Sequence, residues 1–455
     1  MSDGKDKGSN DKSLNKVENT SYIFIPFRYG DREIFRDLVG SLGNSGSWNR
    51  EKINVKYMLR YVADKISSGD EETCQCFLFS LNDTAREAFG IPERDEWCKI
   101  PAYNYRGEKV QPLFRIVDIK LFCFRTGVGI FAIRINLEKD DPFWVSNALF
   151  HLKKVSKTRI ITGRGKSTFL GMAKDLARAF SYIEGFEPDF FFYTYEGKER
   201  ANVLTFLTAD SKDDFSKEMF YLRRCYSEGY KYLKNAKQEE EELHTPSAGM
   251  NWGVSPEAAV CIACPDAGIG NFLESQFFGN FNSQYLLMYV LLLHQKYVLY
   301  MYLTIIGNSD RNDLETLEDY KNQLYAFETD FVFSCITEVP QYQVLYDKIA
   351  KAFALRDMYQ DVHEPILSLG EVRRAATEKE QAQRDKSLNS AILMLSLLSV
   401  FSALVDSFDF WNELFGEIFG GVPQVGFWIT KVFQVVCIIA IIYIGIKVYR
   451  KFKES

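Results

Sequence analysis

The sequence predicts a mixed α/β body that is followed by a helical stalk and a two-helix hairpin in a membrane. Residues 388–405 contain no charged residue, and residues 427–448 are apolar apart from Lys431, Gln434 and Lys447. A bilayer core about 30 Å thick needs about 20 mostly apolar helical residues, so both stretches are long enough to span it. In front of them, strand-like and helix-like segments alternate along the first half of the chain. These observations together predict the fold class.

The body is expected over residues 21–245, after a polar tail over residues 1–20 whose composition is typical of disorder. Runs rich in β-branched and aromatic residues predict strands, and apolar residues at helical spacing predict helices. The tripeptide Arg125-Thr126-Gly127 joins two such strands and indicates a hairpin. The predicted strands cover residues 21–27, 76–81, 117–124, 128–137, 189–194 and 202–207, and the predicted helices cover residues 54–66, 143–154, 167–181 and 212–234.

The stalk is expected over residues 246–386, where one more strand at 254–262 precedes a series of helices. Residues 272–306 are apolar enough to resemble a third span. However, the polar sequence His294-Gln295-Lys296 lies in their middle, and ionisable groups are costly in lipid. We therefore expect a buried helix at this position rather than a membrane span.

Further helices are expected at residues 313–337 and 342–359, with Pro365 interrupting the pattern. A charged helix from Ile366 then continues into the first span without a proline or glycine between 371 and 405. A helix shared by the body and the membrane would act as a mechanical lever on the span.

Composition excludes several classes of function. The net charge of −6 and the pI of about 5.6 argue against direct binding of nucleic acid by the chain as a whole. The nine cysteines and four histidines show no metal-ligand spacing, and Cys261 and Cys264 lack a second pair. No arrangement of nucleophile and base can be argued, so we expect neither an enzyme nor a bound cofactor, and the thiols should be free in a reducing cytoplasm.

The charges that flank the two spans predict the orientation of the hairpin. Lysines and arginines precede the first span and follow the second, whereas the loop between them has none. The positive-inside rule then places both termini in the cytoplasm and the loop outside, as expected for a multi-pass protein of the inner (plasma) membrane. The loop carries Asp409, Glu413 and Glu417, which would form negative rings that attract cations if several copies surround an axis.

One face of the first span is polar. At about 100° per residue, Asn389, Ser396, Ser399 and Asp406 fall within roughly 100° of one another, together with Asp385. A helix that lines a pore needs such a face. Small polar residues also serve helix–helix packing in lipid, which is the alternative interpretation for the serines.

This layout resembles that of the CorA family of divalent-cation transporters and channels. The resemblance covers residues 270–455 in layout, and Phe410-Trp411-Asn412-Glu413-Leu414 is similar to the family's aromatic and acidic continuation after the first span. It implies a homopentamer whose first membrane helix lines the pore, with a divalent cation such as Mg²⁺ as the transported ion. The family's Gly-Met-Asn motif is replaced here by Val405-Asp406-Ser407-Phe408, and Gly249-Met250-Asn251 lies in a soluble segment.

Some CorA-like proteins without that motif act in bacterial phage defence, where a nucleotide second messenger from a type III CRISPR complex opens the pore. The resemblance extends to this group as an alternative. The candidate ligand patch is a dense set of cations, a composition that suits phosphate but also a solvated surface. Its members are Lys153, Lys154, Lys157, Arg159, Arg164 and Lys166.

Residues 163–168 of this patch imitate a phosphate-binding loop but lack its first glycine, since Ile160 stands there. ATP hydrolysis is therefore not expected, although backbone amides at the following helix start could still hold an anion. A third interpretation of the whole chain is a membrane-anchored interaction protein that conducts nothing.

Overall fold

The computed structural model describes residues 19–30, 32–68, 72–103, 106–190, 199–308, 314–418 and 423–454. The chain divides into two units, Met1–Leu367 and Ser368–Ser455. Most of the tail expected over residues 1–20 lies outside the described residues. Asn19 and Thr20 are instead buried, and the Asn19 amide donates to the carbonyl of Leu137 at 2.9 Å.

The first unit is built on one large sheet of twelve strands, with a separate pair formed by β5 and β6. The strands are β1 (Thr20–Arg28), β2 (Trp48–Glu51), β3 (Cys76–Leu81), β4 (Cys98–Lys99), β5 (Ala102–Tyr103), β6 (Lys109–Val110), β7 (Leu113–Phe124), β8 (Val128–Leu137), β9 (Ile160–Thr162), β10 (Gly165–Ser167), β11 (Asn202–Thr208), β12 (Leu243–Ser247), β13 (Met250–Val254) and β14 (Ala258–Ala263).

The main strand order is β10-β9-β4-β7-β8-β1-β11-β14-β13-β12, and β3 joins β7 with β2 outside it. All named pairings are antiparallel except β11 with β14, which run parallel. The expected hairpin at Arg125-Thr126-Gly127 is confirmed, since β7 and β8 pair on either side of it. The two ends of the order are β10, with three residues, and β12, which contains Pro246 and a register shift between His244 and Ser247.

The central strand β1 is buried on both faces, because helices cover the sheet on either side. Successive side chains of a strand point to opposite faces. Ile23 and Ile25 accordingly belong to one core cluster, and Tyr22 and Phe24 belong to the other. The apolar and aromatic run at residues 22–27 is what made β1 recognisable from the sequence.

The first unit contains most of the helices. They are α1 (Arg32–Asn44), α2 (Arg60–Ile66), α3 (Asp83–Ala88), α4 (Pro142–Leu152), α5 (Phe169–Arg178), α6 (Ser216–Leu222), α7 (Ala236–Glu242), α8 (Leu286–Asn308), α9 (Leu314–Phe331) and α10 (Pro340–Ala352), followed by the start of α11 (Leu355–Asp406). Helices α1, α4, α5 and α6 contribute to the first core cluster, and α2, α8, α9, α10 and the start of α11 contribute to the second.

The prediction of a buried helix around His294 is confirmed. The helical stretch Gly270–Ile305 is long and apolar enough to cross a membrane, but 83% of its most apolar window is buried inside the first unit. The segments Leu273–Phe277 and Phe281–Tyr285 of this stretch are π-helical. His294 is fully buried and stacks on Phe124, with 3.9 Å between the ring centroids.

Two predicted helices of the body are much shorter than expected. The helix predicted at 212–234 ends at Leu222, where Cys225 adopts a φ of 47° and the amide of Tyr226 donates to the carbonyl of Tyr221 at 2.9 Å. This hydrogen bond closes the helix end in a way that the apolar periodicity does not reveal. The helix predicted at 54–66 begins at Arg60, after a turn.

The boundary expected at residue 245 falls inside the sheet. Strand β14 pairs with β11 in parallel, and β13 and β12 follow it, so residues 243–263 complete the sheet of the body. The strand expected at 254–262 is β14, and a turn at Ser255 separates it from β13. The strand expected at 189–194 lies mostly outside the described residues.

The second unit consists of the remainder of α11, then α12 (Phe408–Ile418) and α13 (Pro423–Glu454). Pro365 does not interrupt the chain as expected, since it lies inside α11. A proline within a helix removes one hydrogen bond and crowds the preceding turn. Val362 and Ile366 on either side of it are buried in the second core cluster, which offsets that cost.

Candidate pore helices and candidate anion patch

The two C-terminal helical segments Thr377–Ala403 and Phe427–Lys447 are apolar, and none of their most apolar windows is buried within the chain. A contiguous apolar surface of this length is not stable in water. Each segment is long enough to cross a bilayer. The chain therefore has the helices of a membrane protein, and lipid or further copies of the chain must cover them.

Within the hairpin, α11 and α13 meet along a narrow seam. Among residues 377–403, Leu393 and Leu397 are half-buried and the other side chains are exposed. A Cβ placed on Gly445 of α13 would lie 3.9 Å from Cδ1 of Leu397, so these positions face each other. Gln434 and Cys437 are half-buried on the same helix.

The polar stripe predicted on the first span lies outside this seam. Asn389, Ser396, Ser399 and Asp406 are all exposed in the single chain. The Ser396 hydroxyl donates to the carbonyl of Ile392 at 2.8 Å, which satisfies it within its own helix. The stripe is consequently available to face water, lipid or another copy of the chain.

The acidic residues after the first span lie on a helix rather than in a loop. Asp409, Glu413 and Glu417 belong to α12, which packs against α13. Their spacing of four residues places them on one helix face, and all three are exposed. The helix makes this acidic face more regular than a loop would.

Sequence reasoning gave no role to Gln434, which the structure singles out. Its side-chain amide nitrogen is buried and has no hydrogen-bond partner among the described residues. A polar group without a partner is costly inside a bilayer. The signal in the sequence was an amide within a span whose other strongly polar residues are two lysines near its ends.

The predicted anion patch is divided by the fold, beginning with Lys153. The Lys153 side chain is only 2% exposed, and its ammonium group forms an ion pair with Glu257. It also donates to the carbonyl of Arg224 at 2.7 Å. Lys153 therefore neutralises the half-buried carboxylate of Glu257 and is not placed to meet a ligand from solution.

Lys154 lies in a cluster of like charges. Burial first, and then the nearby charges of Arg200, Lys153 and Lys157, lower its pKa to about 8. Its ammonium nitrogen stands 3.5 Å from the centre of the Phe150 ring. This contact replaces part of the lost hydration by a cation–π interaction.

The segment whose sequence resembles a phosphate-binding loop forms a β-hairpin, with Gly163 and Arg164 at the turn between β9 and β10. The Gly163 amide already donates to a carboxylate oxygen of Glu96 at 2.6 Å. A terminal guanidinium nitrogen of Arg164 lies 3.8 Å from Glu93. The negative charges of these two carboxylates would repel an anion at this turn.

The remaining members of the patch, Lys157, Arg159 and Lys166, are exposed. The six predicted cations are thus distributed among an internal ion pair, an aromatic contact, a carboxylate-paired turn and open surface. They do not form one pocket.

A metal centre has no support in the part of the chain that the structure describes, where no group of three or more His, Cys, Asp or Glu side chains could hold an ion. Cys261 and Cys264 are buried as free thiols. Burial first, and then their mutual proximity, raises the pKa of the Cys261 thiol well above its usual value. A protonated thiol is a poor metal ligand.

Comparison with protein-family models, with curated proteins and with solved structures found no match. The function of the chain must accordingly be argued from its own residues.

Proposed function

We propose that this chain assembles in a membrane as a homo-oligomeric, CorA-like channel or transporter for metal cations, gated by its N-terminal body. One observation carries the proposal: no part of the most apolar window of Thr377–Ala403 is buried within the chain, and the polar stripe of this segment lies outside the hairpin seam. A helix with one polar face and an apolar remainder suits the boundary between water and lipid.

In this proposal, copies of α11 surround an axis with Asn389, Ser396, Ser399 and Asp406 toward the water-filled path. The pentamer follows from the family resemblance. The unpartnered amide of Gln434 supports self-association, because a second chain can supply the hydrogen bond that its own chain lacks.

The acidic face of α12 supports selection of cations over anions. Asp409, Glu413 and Glu417 would form stacked negative rings in a symmetric assembly, and such rings raise the local concentration of cations. Divalent ions, with Mg²⁺ as the first candidate, follow from the family resemblance. Because the Gly-Met-Asn motif is absent from the position after the first span, selection of cations in this proposal rests on these carboxylates.

The proposed topology has both termini in the cytoplasm of a cell whose inner membrane holds the hairpin. Lysines and arginines precede the apolar part of α11 and follow the apolar part of α13, whereas the segment between Asp406 and Phe427 has none. Labelling of single cysteines in intact cells tests this topology.

The pore is tested by cation flux into liposomes that contain the full-length protein. The substitution Asn389→Leu should reduce flux at least about tenfold, because it places an apolar side chain in the path. Met394→Leu is the matched control, since Met394 is exposed on the same helix about 140° away from Asn389. Equal flux in both variants would show that the stripe does not line the pore.

Two alternatives remain open to test. A nucleotide-gated effector of phage defence shares the pore and differs in what opens it; the continuous helix α11, which begins in the body and contains the first span, favours gating of this kind. A non-conducting membrane anchor predicts a monomer in detergent, which light scattering measures. A monomer cannot enclose a pore and would remove both channel proposals.

A further inference from the structure

A cavity of about 530 Å³ opens in the first unit, where the end of β1 and the β7–β8 turn face helices α8 and α9. This volume lies within the range of about 300–1,000 Å³ that is typical of small-molecule sites. Its walls differ in chemistry, being cationic on the strand side, apolar and aromatic on α8, and mixed on α9.

The strand side carries two guanidinium groups. Arg28 ends β1, and its strand register places it opposite Val128, directly beside Arg125 and Thr126 of the turn. Arg28 is exposed and has no carboxylate partner among the described residues. Arg125 also borders a neighbouring cavity that contains acidic side chains, so Arg28 carries the argument for a bound anion.

The carboxylate among the described lining residues is already neutralised. Asp330 lines the cavity from α9, and its carboxylate forms an ion pair with the ammonium group of Lys65. The cavity therefore has an excess of positive charge. Guanidinium groups bind carboxylates and phosphates by paired, charge-assisted hydrogen bonds.

The mixed wall on α9 contains two aromatic rings that are held in place from behind. Phe327 and Phe331 on α9 are stacked, with 6.2 Å between their ring centroids. Behind them, His294 meets Phe331 edge-on at 4.3 Å. Its Nε2 lies 2.7 Å from the hydroxyl of Thr126, which lines the cavity. A fixed aromatic wall is suited to contact with a planar ring.

Side-chain amides complete the cavity. Gln75 lies next to the turn, and Asn322 and Gln323 lie on α9. An amide both donates and accepts hydrogen bonds, so it can bind the polar edge of a ring. We propose that this cavity binds a small organic anion that carries a planar ring, with the anionic group at Arg28 and the ring against Phe327 and Phe331.

Helix α9 also contacts the helix that contains the first span. Glu328 of α9 is not among the lining residues of the cavity, and its carboxylate lies 3.8 Å from Nε2 of His363. Burial, and then a hydrogen bond to the Glu328 carboxylate, raises the pKa of the Tyr359 hydroxyl. His363 and Tyr359 both belong to the first three turns of α11. A change in α9 on ligand binding would thereby reach α11 through Glu328. This step rests on the proposed function.

Binding is tested by calorimetry on the full-length protein in detergent, with two probes. Adenosine 5′-monophosphate supplies a ring with a phosphate, and indole-3-acetate supplies a ring with a carboxylate. Adenosine, indole and inorganic phosphate are the matched fragments. At least one anionic probe should bind at least about tenfold more tightly than its uncharged ring and than phosphate. The probe that does so identifies the anionic group.

The variant Arg28→Gln should reduce binding of that probe about tenfold, because it removes the charge at the anion position. Arg159→Gln is the control, since Arg159 is an exposed arginine outside the cavity lining. A second variant, Gln323→Leu, should also weaken binding. Absence of binding by both probes, or equal binding by Arg28→Gln and the unaltered protein, would overturn the proposal.

Transmission is tested by hydrogen exchange of the amides at residues 355–367, which needs no ion flux. The bound probe should slow this exchange, and Glu328→Gln should remove the effect while leaving the affinity within about twofold. If the probe binds but the protein conducts no ions, the pore proposal is contradicted and the cavity proposal is not. Flux without probe binding would refute the cavity alone.

Discussion

Gly129 is a residue at which the fold tolerates no side chain. It pairs with Phe27 across β8 and β1, and a Cβ placed on it would lie 2.5 Å from a carbon of the Phe27 ring. Gly129→Ala should lower the free energy of unfolding by about 1–3 kcal/mol, because the ring must leave its position in a packed core. Thermal unfolding in detergent measures this change.

The control is Gly40→Ala on helix α1, where a Cβ meets nothing within 4 Å. Alanine is the better helix former by about 1 kcal/mol, so this variant should be neutral or stabilising. Similar unfolding temperatures for the two variants would contradict the close approach of Phe27.

His294 makes stability depend on pH. Burial lowers its pKa well below the usual value, so the folded protein keeps the ring neutral while the unfolded chain protonates it below about pH 6.5. The unfolded state then binds more protons, and stability falls as the pH decreases from 7 to 5. Burial and Lys154 act in the same direction on His151, whose pKa is about 4.

The variant His294→Phe should retain the stacking on Phe124 and reduce the dependence of the unfolding temperature on pH. The part that belongs to His151 should remain. An unchanged slope between pH 7 and 5 would show that His294 contributes nothing to it.

Lys153 illustrates why the candidate sites were harder to predict than the strands. A run of basic residues is visible in the sequence, but Glu257, which neutralises Lys153, lies 104 positions away. Nothing in the local pattern connects them. The same holds for the cavity, whose lining residues range from Arg28 to Phe331.

At the scale of elements, the acidic face of α12 should set the sign of the conducted ion. Replacing Asp409 by Asn and both Glu413 and Glu417 by Gln should lower the ratio of cation to anion permeability, measured as a shift in reversal potential. Glu380→Gln on α11 is the control. The shift should shrink in about 1 M salt, where the Debye length falls to about 3 Å. An unchanged ratio of cation to anion permeability would show that α12 does not contribute to the conduction path.

Gln434 should contribute to assembly through α13. The variant Gln434→Leu removes the unpartnered amide, and interhelical hydrogen bonds in membranes contribute about 0.6–2 kcal/mol each. We expect a smaller fraction of oligomer at limiting protein concentration, measured by energy transfer between labelled chains in liposomes. The exposed Val435→Leu is the control. Unaltered or stronger association of Gln434→Leu would mean that the amide serves another purpose.

Elements with a strong pattern were predicted well. Strands β3 and β8 were predicted with their observed bounds, and β1, β7 and β11 to within a few residues, because each is rich in β-branched and aromatic residues. The helix expected at 212–234 was too long, because a local hydrogen bond, rather than a change in periodicity, ends α6. The helix α12 was missed because its segment was interpreted only as a connection.

At the scale of the whole molecule, the order of body, helices and hairpin followed from the sequence, but the internal boundary did not. Residues 243–263 return to the sheet and pair beside β11. Such long-range pairing depends on which strand edge is open, and that information is absent from a single strand's composition. The division of the chain instead falls after Leu367, inside α11.

The edge strands of the large sheet affect how neighbouring copies of the protein interact on a crowded membrane. A membrane confines its proteins to a plane, where neighbouring bodies collide often and any open strand invites a foreign one. Along the main order one terminal strand offers three residues, and the other is broken by Pro246, which lacks an amide hydrogen to share. The branch through β3 ends at β2, which has four residues. Neighbours can therefore crowd together without their sheets fusing into aggregates.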